Sequence, residues 1–224
     1  SYDPNGGDGA MTPTIGESGT GVTAADNAFT RTGYTFAGWN TAKDGTGTAH
    51  QPGDALVLTK SVVVLYAQWK PITYKVRFDG NGATSGMMSD LTATYDEKKT
   101  LPANRYVKFG ETFAGWNTKA NGTGKAYDDL AEVQNLTTAN KGTVTLYAQW
   151  VGDPYTVVFH YGDETEEQEL RYGTAQALEK NTFEKTGYTF KAWTTLENGK
   201  GKSYKDGTKV TNLGGGQETT HLYA

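Results

Sequence analysis

The chain has 224 residues and no cysteine. Neither a disulfide nor a thiolate metal site therefore holds any part of it together. A small domain without such staples must stand on an apolar core of its own or lean on a neighbour. Histidine is scarce as well, at three residues, His50, His160 and His221. A transition-metal site needs several His, Cys or carboxylate ligands to converge, so neither metal nor cofactor is expected. Positive charge is not in excess: 21 Lys and Arg against 25 Asp and Glu leave a net charge of −4. Phosphate backbones demand clustered cations, so nucleic acid is excluded as a partner. No apolar run approaches the ~20 residues of a membrane span, so direct membrane insertion is not expected. The chain also does not open with the charged-then-apolar pattern of a signal peptide.

What is present is glycine, 29 residues, together with a 12% share of aromatics. With abundant Thr, Tyr and Asn, this favours strands and tight turns over helices. A few large rings must supply much of the buried area. Those rings recur. FAGWNTAKDGTG (Phe36 to Gly47) is repeated as FAGWNTKANGTG (Phe113 to Gly124) and more loosely as FKAWTTLENGKG (Phe190 to Gly201). An offset of 77 residues superimposes Trp39, Trp116 and Trp193, Gly33, Gly110 and Gly187, and Asn27, Asn104 and Asn181 without a gap. A fixed period of this length marks a triplicated module.

A second phrase, LYAQW, follows at Leu65–Trp69 and Leu146–Trp150, and its first three residues recur as Leu222–Ala224. Copies two and three open on strands, YKVRF and YTVVF, whereas copy one starts near the end of that strand at SYDPNGG. Both ends thus fall inside a repeat, and the natural protein is expected to continue in both directions. Proline-bearing joints at WKPIT and WVGDPY divide the chain into modules 1–70, 71–151 and 152–224, with net charges of −2, +1 and −3. Short stiff joints predict a monomeric, extended row rather than freely tumbling beads.

Within a module, YKVRF puts Tyr74, Val76 and Phe78 on one face, and LTATY and QELRY read as the second arm of a hairpin. TAQALEKN (Thr174 to Asn181) reads as a short helix capped by Thr174; in copy two Pro102 keeps any helix brief. The TFAGW segment is the third strand. TVTLYAQW closes the module, with Val144, Leu146, Ala148 and Trp150 inward. Hairpin, helix, strand, loop and strand is an α+β order, that of a β-grasp.

The glycine-rich tail of the repeated phrase is not a phosphate loop, because each copy fails the GxxxxGK[ST] spacing in a different way. Asp44-Gly45, Asn121-Gly122 and Asn198-Gly199 instead predict type I′ hairpin turns. DPNGGDG does not fit a calcium loop, because the third ligand position is Gly7 and the twelfth loop position is Thr14 rather than Glu. DETEEQE is a solvated charge run that discourages edge pairing. No carboxylate pair or Ser-His-Asp grouping recurs, so no enzyme is expected. His50 holds the place of Tyr127 and Tyr204, an aromatic packing position. Trp39, Trp69, Trp116, Trp150 and Trp193, with Phe36, Phe113 and Phe190, are the expected core. Tyr66, Tyr147 and Tyr223 share an outward strand position and are the candidate binding residues.

TRTGYTFAGWNTAKDGTGTAH, the LYAQW that follows and the YDPNGG that precedes it resemble the Listeria–Bacteroides repeat, the internalin B-type B repeat. The resemblance covers essentially the whole chain as three copies. Copy two departs from it with Glu111 in place of tyrosine; copy three departs at FKAWTTLENG and YGDETEE. The resemblance implies ubiquitin- or SUMO-like β-grasp modules in tandem on a secreted or wall-attached bacterial surface protein. Their implied role is that of a stalk or adhesion module, and no catalytic residues carry over. The alternative is a module that binds a host-cell or extracellular glycan or protein, through an exposed strand edge or the outward tyrosines.

Overall fold

A computed structural model describes residues 1–59 and 62–224. Among these residues there is no helix, and every regular element is a strand. The expected α+β, β-grasp architecture is therefore corrected to an all-β one. Two compact units divide the chain: residues 1–77, 89–102 and 130–145 form the first, and 78–88, 103–129 and 146–224 the second. The first repeat lies wholly in one unit and the third wholly in the other, while the middle repeat contributes to both.

In the first unit, Leu65–Pro71 lies between Tyr2–Asp3, which runs parallel to it, and Tyr34–Asn40, which runs antiparallel. Ala49–His50 adds to the far side of Tyr34–Asn40. A register shift between Phe36 and Gly38 bulges the tryptophan strand. A strand turns successive side chains to opposite faces, so Phe36 and Trp39 would otherwise point apart. The bulge brings them to the same side, with ring centroids 4.9 Å apart. Ala24, Phe29, Leu65 and Ala67 complete the core around Trp39.

In the second unit the same plan appears with more strand. The third repeat forms a sheet in the order Glu164–Arg171, Pro154–Tyr161, Thr219–Tyr223, Trp193–Thr194, Ser203–Tyr204. Its two central strands are parallel, and the acidic DETEEQE run lies on its edge strand. Tyr155, Val157, Phe159, Leu170, Tyr172 and Leu178 pack around Trp193. The Trp116 strand, Glu111–Asn117, repeats the bulge, and Phe113 and Phe78 each approach Trp116 to 5.0 Å. Such aromatic pairs add about 0.5–1.5 kcal/mol each beyond their burial.

The helix expected over Thr174 to Asn181 is replaced by a two-residue strand, Gln176–Ala177, paired with Lys209–Val210. Its main chain is engaged elsewhere. Leu178 N–H donates to the Thr208 carbonyl, while Gln168 accepts from Glu179 N–H and donates to the Ala177 carbonyl. An eight-residue helix is too short to nucleate against such competition. Leu101 N–H likewise donates to Ala131, and Ala24 N–H to Asp54. All three anchoring side chains are buried.

The Asx-Gly turns form, but not as type I′. Gly45, Gly122 and Gly199 take φ of 78°, 75° and 70°, while the Asx residue before each does not take a positive value. The Asx side chain instead accepts the N–H two residues on, as in Thr46 to Asp44, Thr123 to Asn121 and Lys200 to Asn198. The loop is then clamped from beneath by a buried amide. Asn117 donates to the Gly122 and Gly124 carbonyls and accepts from Lys119 and Gly124 N–H. Asn40 makes the corresponding bonds to Gly45, Gly47 and Ala42. In the third repeat the position is Thr194, whose hydroxyl donates to Leu196.

Asn117→Ala is expected to cost about 1–3 kcal/mol by orphaning these groups. Chemical unfolding followed by tryptophan fluorescence checks this, together with faster amide exchange at Lys119 and Gly124.

Candidate functional site

The sites that recur between repeats are the joints. In the first unit, Ile72 N–H donates to the Gly33 carbonyl at 2.9 Å, and the Ile72 carbonyl accepts from Tyr95 N–H at 3.0 Å. In the second unit, Asp153 N–H donates to Gly110 at 2.9 Å, and the Asp153 carbonyl accepts from Tyr172 N–H at 3.1 Å. One linker residue thus ties the tryptophan-strand approach of one repeat to the hairpin of the next through its own main chain. A tyrosine ring closes each joint, Tyr95 over Gly33 and Tyr172 over Gly110, so close that a Cβ on either glycine would overlap the ring. Both glycines take positive φ, 79° and 69°.

The polar dressing differs in a correlated way. In the first joint Tyr34 donates to the Asp96 carboxylate at 2.6 Å, and Arg31 sits 4.0 Å over the Tyr34 ring. In the second joint Glu111 takes the place of Tyr34, Lys108 that of Arg31 and Gly173 that of Asp96. Glu111 pairs with Lys108 at 3.0 Å and lies against Gly173. The departure at Glu111 is matched by the loss of the opposing carboxylate, which avoids two like charges in contact. Thr112 donates to Asp153 at 2.6 Å, and Phe109 meets Tyr172 edge-on at 6.0 Å. The Tyr34 hydrogen bond, followed by one from Asn135, holds the Asp96 carboxyl below its ordinary range, and the same bond to Asp96 raises the Tyr34 phenol.

Residues 1–68, 74–149 and 155–224 each match the Listeria-Bacteroides repeat domain. The chain belongs to this family. It is also 40% identical over 191 residues to a protein of Evansella cellulosilytica named as a Gly-rich membrane protein, covering 80% of this chain and 21% of that one. A second protein of the same organism, named as a membrane protein, is 31% identical over 170 residues, covering 72% of this chain and 23% of its own length. The chain thus spans between a fifth and a quarter of the relatives it matches.

Within this Listeria-Bacteroides repeat frame, Trp39, Trp116 and Trp193 are almost fully buried. Trp69 and Trp150 are half-buried, and their indole N–H groups donate to the Pro4 and Gly80 carbonyls. Phe36, Phe113 and Phe190 are also half-buried, each against the tryptophan three residues on. Tyr66, Tyr147 and Tyr223 are half-buried on the final strands, with Asn40, Asn117 and Thr194 as their respective cross-strand partners. His50 is cross-strand partner to Trp39, as Tyr127 is to Trp116 and Tyr204 to Trp193.

The main-chain bonds of the joints were not legible in the sequence, since they leave no side-chain signature. The constant Gly33/Gly110 register and the Tyr95/Tyr172 register were the available signals. The pairing of His160 with His221 was also missed, because 61 residues separate them. Burial, then the neighbouring His221, holds His160 below the ordinary histidine value.

Gly110→Ala is expected to destabilise the second unit by about 1–3 kcal/mol through backbone strain and ring overlap. Gly187→Ala, at φ 80° with no atom within 4 Å of its would-be Cβ, isolates the strain alone and is expected to cost less. Thermal unfolding of the two variants reads the difference. For Asp96, a depressed carboxyl pKa contributes stability above the unfolded value of about 3.9 and loses it as pH falls through the lower folded value. Carboxyl NMR titration of Tyr34→Phe is expected to show the Asp96 pKa moving back up.

Proposed function

We propose that these repeats are a non-catalytic spacer in a bacterial cell-surface protein, secreted or attached to the wall, that holds an adhesive domain away from its base. The observation that carries this reading is the doubly bonded linker residue, Ile72 in one joint and Asp153 in the other. A residue whose N–H and C=O are both used by the flanking repeats has lost the freedom a flexible tether needs. Two joints built on one plan, with different side chains, are what a chain lengthened by duplication requires. The family and the names of the two relatives support a location at the cell envelope. The recurrent residues serve packing, turns and joints, which supports a role without chemistry of its own.

The test is a distance measurement between fluorophores at the two termini, alongside a host-glycan and matrix-protein binding screen. A spacer gives a narrow distance distribution near the sum of three repeat lengths and no saturable binding. A broad or collapsed distribution overturns it. Saturable binding lost in Tyr66→Ala or Tyr147→Ala would instead make these repeats the adhesive element.

A further inference from the structure

The outer sheet face of the third repeat carries two imidazoles that neither other repeat has. His160 lies in Pro154–Tyr161 and His221 in Thr219–Tyr223, which are parallel neighbours. Val158 is the partner of His221, and His160 of Tyr223, so both histidines point away from the buried face of Phe159 and Leu222. His160 Nε2 and His221 Nδ1 share a hydrogen bond at 2.8 Å. Tyr223 stacks on the His160 ring, with centroids 4.8 Å apart and an interplanar angle of 17°. Repeat register gives the corresponding positions as Asp79 and Thr145 in the second copy, and Asp3 and Val64 in the first. The pair is therefore a property of this repeat rather than of the repeat pattern.

We infer that His160 and His221 form a two-imidazole chelate for a divalent copper or nickel ion. Metal–imidazole bonds of about 2.0 Å at a right angle place the two nitrogens about 2.8 Å apart, whereas a tetrahedral angle needs about 3.3 Å. The two rings are hydrogen-bonded to each other at that separation, so an ion that displaces the shared proton at a right-angle bite leaves both nitrogens nearly in place; Cu(II) and Ni(II) take that angle, and the general affinity order places copper highest. The frame is fixed on both sides. Five successive residues of the two strands are in parallel register, and the His160 carbonyl accepts from Ala224 N–H at 3.0 Å. The Tyr223 ring limits rotation of the His160 ring. His221 is exposed, which leaves the outer coordination positions to water. Among the described residues no group of three or more His, Cys, Asp or Glu converges, so the site has two protein ligands and is weaker than a structural metal centre.

Calorimetric titration of the whole 224-residue chain with copper(II), nickel(II) and zinc(II) chlorides tests the assignment. One saturable equivalent of copper is expected, tighter than zinc, with an electron paramagnetic resonance spectrum showing tetragonal nitrogen ligation. His221→Gln, an exposed change, and His160→Ala should each abolish that equivalent; His50→Ala should leave it intact. Thermal unfolding of the metal-free variants separates loss of the ligand from loss of the fold. Absence of saturable copper binding overturns the inference, as does binding that survives the double change at His160 and His221. Zinc binding as tight as copper overturns the geometric assignment.

Discussion

Each repeat depends on one indole. Without cysteine, the fold of a module of some seventy residues rests on the tryptophan at 39, 116 or 193, which is sealed from water. In the first two repeats the bulge before it gathers a phenylalanine to the same face. The sheet and the segment before the tryptophan strand each supply a further ring: Tyr2 and Phe29 around Trp39, Phe78 and Tyr106 around Trp116, and Phe159 and Phe183 around Trp193. A ring cluster of this kind buries much area per residue ordered, which suits a chain only 36% hydrophobic. The long glycine loop stays close to the sheet because the residue after the tryptophan, Asn40 or Asn117, is buried and bonded to it.

The joints extend this logic from one repeat to the next. Their constant part is main chain: a glycine carbonyl, a linker residue and a tyrosine N–H. Their variable part is side chain, Tyr34 with Asp96 in one case and Glu111 with Lys108 in the other. A main-chain bond does not depend on residue identity, so the linker can be apolar Ile72 or acidic Asp153 without breaking the connection. What cannot vary freely is the glycine under the tyrosine ring, where both the positive φ and the close approach exclude a side chain.

This division explains what could be read from the sequence. The triplication, the alternating strand over Tyr74, Val76 and Phe78, and the strand position that His50 shares with Tyr127 and Tyr204 all rest on side-chain type at fixed spacing, and all were legible. The helix over Thr174 to Asn181 was misread because local propensity is silent about Gln168 and Thr208, which take its main-chain groups. With that helix gone, the α+β assignment failed. The turns were misread for a related reason: Asx-Gly favours several geometries, and in all three copies the Asx side chain accepts the N–H two residues on. Asn40 and Asn117 stood in plain view in the repeated phrase, but nothing in a polar residue next to a tryptophan announces that it is buried.

The third repeat shows where such a module is free to change. In the first two copies Asp3 and Asp79 each accept an N–H from Asn5 or Asn81, whose amides in turn reach carbonyls across the sheet. The third copy replaces this clamp with a tight hairpin at Gly162 and a full-length edge strand, Glu164–Arg171, so the sheet no longer needs it. The strand position it released is occupied by His160. Residues on the inner face, Tyr155, Val157 and Phe159, keep the apolar alternation of Tyr74, Val76 and Phe78 throughout. Change is therefore concentrated on the outer face, where a new side chain meets water rather than the indole, and where a repeat can acquire a ligand without losing its core.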